Sequence, residues 1–291
     1  IGFIIVSKSG ETIEVLSILL VLEDFFSKYL QLRKNCIIIT ENKNSTLFKF
    51  AQDRMIPIIP HSKKISGRFS CFSVTGLLPA EISGLDSKKI YNLANKSFKD
   101  YFSKERDLNK ENILHLKKFI DNRKISGHVF LSYIEGFKSI TEWYRQLWAE
   151  SLGKNGKGIY LLPAIGSIDQ HSQLQIWLEG RRDLIFTILV PKKRRNKINV
   201  KDKSKIIPDY LNHKSVGDIL NKMCDATIME LKKLNIPVRI IYLEDDSLKS
   251  AIRLMTTLMI EVAILCKTLN MNPYDQPAVE KVKTAIKKLL T

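Results

Sequence analysis

What most constrains this chain is the alternation of short apolar runs with longer amphipathic stretches. Residues 3–6, 36–40, 129–133, 159–162, 184–190 and 238–243 read as strands. Between them apolar positions recur at helical spacing, as Ile13, Leu16, Leu20 and Phe25 do in a predicted helix over 11–30. Further helices are predicted over 45–53, 136–152, 170–180, 215–234, 247–269 and 277–290. Residues 68–82 read as a loop entering a helix, and 90–124 as a helical, Lys-rich connection. Strands alternating with helices of this length predict parallel sheets with right-handed crossovers, an α/β class. The run 184–190 is apolar throughout its length, as a strand covered on both faces must be.

The chain has 291 residues, room for two domains. No window of about 18 uninterrupted apolar residues is present, so no membrane association is expected. It begins with Ile1 inside a predicted strand, which reads as a piece whose upstream part is missing. Cys36, Cys71, Cys224 and Cys266 form no paired motif and read as reduced core residues, and no His/Cys spacing suggests a metal. The formal net charge is +17, mostly Lys spread along the chain. The one dense basic run, 192–205, lacks the interleaved aromatics of single-strand binders, and no recognition-helix or zinc-finger pattern is present, so no specific nucleic-acid partner is expected. A basic surface still attracts a dianionic substrate.

Five segments carry potential chemistry. Ser7-Lys8-Ser9-Gly10-Glu11-Thr12 leaves a strand and enters a helix. The first N–H groups of a helix lack internal partners, and hydroxyls beside them suit a phosphoryl group, although simple capping explains the same residues. Ser66-Gly67-Arg68-Phe69-Ser70 sets a guanidinium, a planar fork of donors for oxyanions, in a loop where a solvated Arg is the ordinary outcome. Gln146 and Glu150 lie four apart and share a helix face. Glu150 suits proton transfer, or it simply pairs with Lys154. Gly166-Ser167-Ile168-Asp169-Gln170-His171-Ser172 follows a strand, with His171 expected in the first turn of a helix. Asn272-Pro273-Tyr274-Asp275-Gln276-Pro277 precedes the last helix, where Gln276 and Lys283 lie about two turns apart and can point the same way.

Taken together and in this order, the five blocks resemble the glucose-6-phosphate isomerase family, and the resemblance runs from residue 1 to about 290. It implies two sugar-isomerase (SIS) subdomains, each a parallel sheet flanked by helices, the first one incomplete. Residues 1–110 would hold the C-terminal part of the first subdomain and the helical connection. Residues 111–270 would form the second, and 271–291 a loop and helix completing the active site. The implied reaction interconverts glucose 6-phosphate and fructose 6-phosphate, in glycolysis and gluconeogenesis, by ring opening and proton transfer through a cis-enediol(ate).

By the same resemblance Glu150 is the base, Arg68 stabilises the enediolate, and His171 and Lys283 open the ring. Ser7, Lys8, Ser9 and Thr12 hold the phosphate, while Gly67, Gln146 and Gln276 contact the substrate. No cofactor or metal is implied. The implied assembly is a cytoplasmic homodimer in which His171 reaches the neighbouring subunit's site. Two departures stand out. Ser66 replaces the first glycine of the family's Gly-Gly-Arg, which requires ordinary backbone angles there. A further glycine-rich phosphate loop, expected upstream, is not in the chain, and its loss predicts an exposed sheet edge. A non-catalytic SIS module that only binds sugar phosphates, or an inactive gene fragment, are the alternatives.

Overall fold

In the computed structural model the described residues are 2–25, 31–41, 44–103, 106–195, 198–201, 206 and 208–290, with backbone only over 106–109. The chain divides into two compact units, 1–92 and 93–291.

The first unit contains a three-stranded parallel sheet, β1 (Phe3–Val6), β2 (Cys36–Thr40) and β3 (Ile58–Pro60), in that order. Among the described residues β1 is one of its edges. Helices α1 (Ile13–Phe25), α2 (Leu32–Asn35), α3 (Thr46–Asp53) and α4 (Val74–Ile82) accompany it. The expected end of the first helix, 26–30, lies outside the described residues. Ile5, Ile38 and Cys36 of the strands pack with Leu19 of α1 and with Leu47 and Ala51 of α3. Each fully buried aliphatic side chain of this kind contributes about 1.5–3 kcal/mol. Ile18, Leu20, Val21 and Phe25 of α1 stay exposed.

The predicted connection over 90–124 is two helices, α5 (Ser87–Ser103) and α6 (Arg106–Asp121). The second unit then alternates β4 (Gly127–Ser132), α7 (Lys138–Leu152), β5 (Tyr160–Ile165), α8 (Gly166–Ser172), α9 (Leu174–Glu179), β6 (Leu184–Lys193), α10 (Val216–Lys233), β7 (Val238–Asp245), α11 (Leu248–Thr268) and α12 (Pro277–Leu290). Its four strands are parallel in the order β5-β4-β6-β7. β6 is central, and residues 185–191 are buried without a break, as its apolar run requires.

The two faces of this sheet are covered differently. On one, Val129, Leu131, Phe186, Ile188 and Val190 pack with Trp177 of α9 and with Cys224 and Leu231 of α10. On the other, Phe130 stacks against Tyr144 of α7, His128 lies edge-on to Trp148 of α7, and Arg239 of β7 forms two hydrogen bonds to Glu261 of α11, at 3.0 and 2.6 Å. His128 Nε2 lies 2.8 Å from Thr187 Oγ1.

One helix departs from expectation. The sequence suggests a single helix over 170–180, but α8 begins at Gly166 and stops at Ser172, and α9 resumes at Leu174. The Asp169 carboxylate accepts the N–H of Ile165 at 2.7 Å and the Ser172 hydroxyl at 3.1 Å, which starts the helix directly at the strand end. Among the described residues, no helix is long and apolar enough to cross a membrane, and no cluster of three or more His, Cys, Asp or Glu could hold a metal ion. Cys36, Cys224 and Cys266 are buried free thiols, and Cys71 is half-buried.

Candidate active site

In the first unit the strand-to-helix junction after β1 forms a closed nest. Gly10 adopts φ +68°, and a Cβ there would lie 2.1 Å from Ser45 Oγ, so both conformation and space demand glycine. Ser7 is buried; its Oγ accepts the Gly10 N–H at 3.1 Å and lies 2.8 Å from Thr12 Oγ1. Ser9 Oγ accepts the Glu11 N–H. Glu11 in turn accepts the N–H and hydroxyl of Thr46, tying the nest to α3. The Lys8 ammonium donates to the Lys63 carbonyl and stands 3.6 Å from Glu41.

Gly67 and Arg68 lie in a short 3-10 turn, Gly67–Phe69, beyond β3. Ser66 sits at φ −74°, ψ 152°, ordinary extended backbone, so its substitution for glycine carries no strain. Arg68 is 2% exposed, so the solvated-loop reading of this side chain is overturned. A cation at that depth requires anionic or hydrogen-bonding company.

In the second unit Gln146 and Glu150 share one face of α7, and Gln146 Nε2 donates to Glu150 Oε1 at 2.9 Å. Lys154 is bonded to Asp275 and to the Asn272 carbonyl. Ser151 Oγ donates to the Pro273 carbonyl, and Cys266 Sγ donates to the Ser151 carbonyl. These bonds fasten the 272–276 turn to the end of α7, so two sequence blocks more than 110 residues apart meet. On α12, Lys283 Nζ donates to Glu280 at 2.7 Å, and Gln276 bonds the same carboxylate. Together they hold the Glu280 carboxyl below its usual range, the Lys283 hydrogen bond being the larger cause.

His171 is exposed and occupies the last turn of α8 rather than the first turn expected of it, because the helix starts at Gly166. More consequentially, α8 and α9 lie on the face covered by α10, whereas α7 lies on the face covered by α11. α7 also runs antiparallel to β4, so Glu150 sits at the amino edge of the sheet, where Tyr160 N–H bonds the Ser126 carbonyl. Within one protomer His171 and Glu150 are therefore carried by helices on opposite faces of the sheet.

Of the basic run, Arg194 donates to Asn221 and to the Tyr133 carbonyl, and Arg195 to Asp246. Residues 196–197, 202–205 and 207 lie outside the described residues.

No family model matches the sequence. The chain is 33% identical over 300 residues to the glucose-6-phosphate isomerase of Campylobacter jejuni, covering 99% of this chain and 71% of that protein. A crystal structure of a hypothetical protein from Thermus thermophilus superposes with TM-score 0.92 at 29% identity, over 99% of this chain and 71% of that one. A glucose-6-phosphate isomerase structure from Chlamydia trachomatis, 18% identical, shares the fold with TM-score 0.81 over 99% of this chain and 58% of that one. A tagatose-6-phosphate ketose/aldose isomerase structure from Escherichia coli, 10% identical, shares this fold of parallel sheets flanked by helices with TM-score 0.57, and among the described residues the two sheets here have three and four strands. The chain belongs to the glucose-6-phosphate isomerase family of enzymes.

Proposed function

We propose that the full protein interconverts glucose 6-phosphate and fructose 6-phosphate, with an active site shared between two copies of the chain. The nest of Ser7, Lys8, Ser9 and Thr12 receives the phosphate through hydroxyls and the N–H groups opening α1. Ring opening breaks the C1–O5 bond: the anomeric hydroxyl loses its proton and the ring oxygen gains one, with His171 and Lys283 handling the two. Glu150 then removes the C2 proton, giving an enediolate, and returns a proton to C1. Arg68 faces the developing negative charge. Gln146 and Gln276 orient the sugar, and 271–291 completes the site.

The observation that carries this reading is the joining of Gln146–Glu150 to the 272–276 turn, with His171 held on the opposite face of the same sheet. A second copy that supplies the imidazole would let a carboxylate and an imidazole so placed act on one substrate. The reaction needs nothing beyond side-chain acids and bases.

Glu150→Gln tests the proton step. In deuterated buffer, label appears at C2 of glucose 6-phosphate during turnover. The variant should lose this incorporation by about 10³-fold or more, since it removes the base and keeps the shape. Undiminished incorporation removes Glu150 from its role.

A further inference from the structure

α8 is two turns long, and a helix that short has no independent stability in water. Its position is therefore set by what it touches, and one residue touches it twice. The ring of Tyr133, at the end of β4, lies against Gly166, where a Cβ would come within 2.4 Å of Cδ1. Tyr133 Oη also donates to Gln170 Oε1 at 3.0 Å and stands 2.8 Å from Thr227 Oγ1 on α10. Gln170 immediately precedes His171.

Tyr133 is itself well fixed. Its N–H bonds the Leu189 carbonyl, its own carbonyl accepts Arg194 Nη2 at 2.8 Å, and the residue is 3% exposed. Burial pushes the phenol up to about 12, so the proton it donates is retained at any working pH.

We propose that Tyr133 is a positioning residue for His171: its hydroxyl pins α8 between β4 and α10, and so fixes how the imidazole is presented to the partner's site. This rests on the ring-opening role of His171. Ring opening and closing without proton transfer interconverts the α and β anomers, so exchange NMR of glucose 6-phosphate reads that step alone. Misplacing a reacting group by about 1 Å costs up to about 10²-fold. Loss of one pin should cost about tenfold, toward the lower end of that range.

The test compares Tyr133→Phe, Gln170→Met and His171→Ala in the full-length protein. Both pin variants should slow anomer exchange and kcat about tenfold with KM changed less than about twofold. Solvent label incorporated per turnover should stay unchanged, because Glu150 acts after the ring has opened. A merely structural weakening would move label incorporation and KM as well. Normal exchange in Tyr133→Phe and Gln170→Met, with exchange lost in His171→Ala, overturns the proposal and leaves the role of His171 standing. Normal exchange in His171→Ala overturns that role instead. Should Tyr133→Phe fail to fold, Gln170→Met, a partly exposed substitution of similar shape, decides alone.

Discussion

The two faces of the four-stranded sheet solve the same packing problem with opposite chemistry. Beneath α9 and α10 the core is aliphatic and aromatic, from Val129 and Leu131 to Trp177 and Leu231. Beneath α7 and α11 it contains His128, Thr187, Tyr144 and the Arg239–Glu261 pair. An aliphatic face tolerates small slides, because dispersion contacts have little direction. A buried pair of charges does not, since any slip leaves a group unsatisfied. The polar face carries the helix that bears Glu150 and to which the 272–276 turn is fastened. The aliphatic face carries α8, which the Asp169 carboxylate and the Tyr133 hydroxyl both hold by directional bonds. Directional bonds are thus found beside the residues proposed to act on the sugar.

That contrast is open to test, beginning with its largest effect. Glu261→Leu should destabilise the protein by about 3–5 kcal/mol by urea unfolding, because the Arg239 guanidinium stays buried without its partner. Adding Arg239→Met should restore most of the loss. Leu231→Ala on the other face should cost about 2–5 kcal/mol, with no second substitution of that kind able to recover it. If the double variant stays as unstable as Glu261→Leu, the charges are not what holds this face.

His128 gives an effect that depends on pH. Burial, and secondarily the charge of Arg239, push its pKa down to about 3. The unfolded chain takes up a proton near 6.5 that the folded protein refuses, so stability is full above that pH and declines from there toward about 3. The slope contribution is about 1.4 kcal/mol per pH unit. His128→Gln, which keeps a partner for Thr187, should flatten that part of the acid limb in thermal melts at pH 4–7; an unchanged limb would show that His128 is not its source.

Much of this architecture is legible in the sequence. The strand over 36–40 and the helix over 277–290 have the predicted limits, and the unbroken apolar run around 184–190 marks the central strand. What the sequence conceals is tertiary. The start of α8 at Gly166 depends on the Tyr133 ring and the Asp169 carboxylate, neither of which has a periodic signature. The burial of Arg68 depends on how its loop folds back, which residue type does not encode. The Arg239–Glu261 pair left one available sign, an acidic residue on the buried stripe of Leu254, Leu258, Val262 and Leu265 in α11, and a lone charge there has no visible partner until the sheet forms. The Gln146–Glu150 pair, by contrast, follows directly from four-residue spacing on a helix.

In the proposed reaction Glu150 and His171 act together only across two copies. Glu150→Gln and His171→Ala should each be inactive alone. Unfolded together and refolded as a mixture, they form heterodimers in which one of the two sites has both residues intact. Half of the randomly paired dimers are mixed, so about a quarter of the unmutated activity should return. If the mixture stays as inactive as its components while mixed dimers are shown to form, each site draws both residues from one chain, and the account is contradicted.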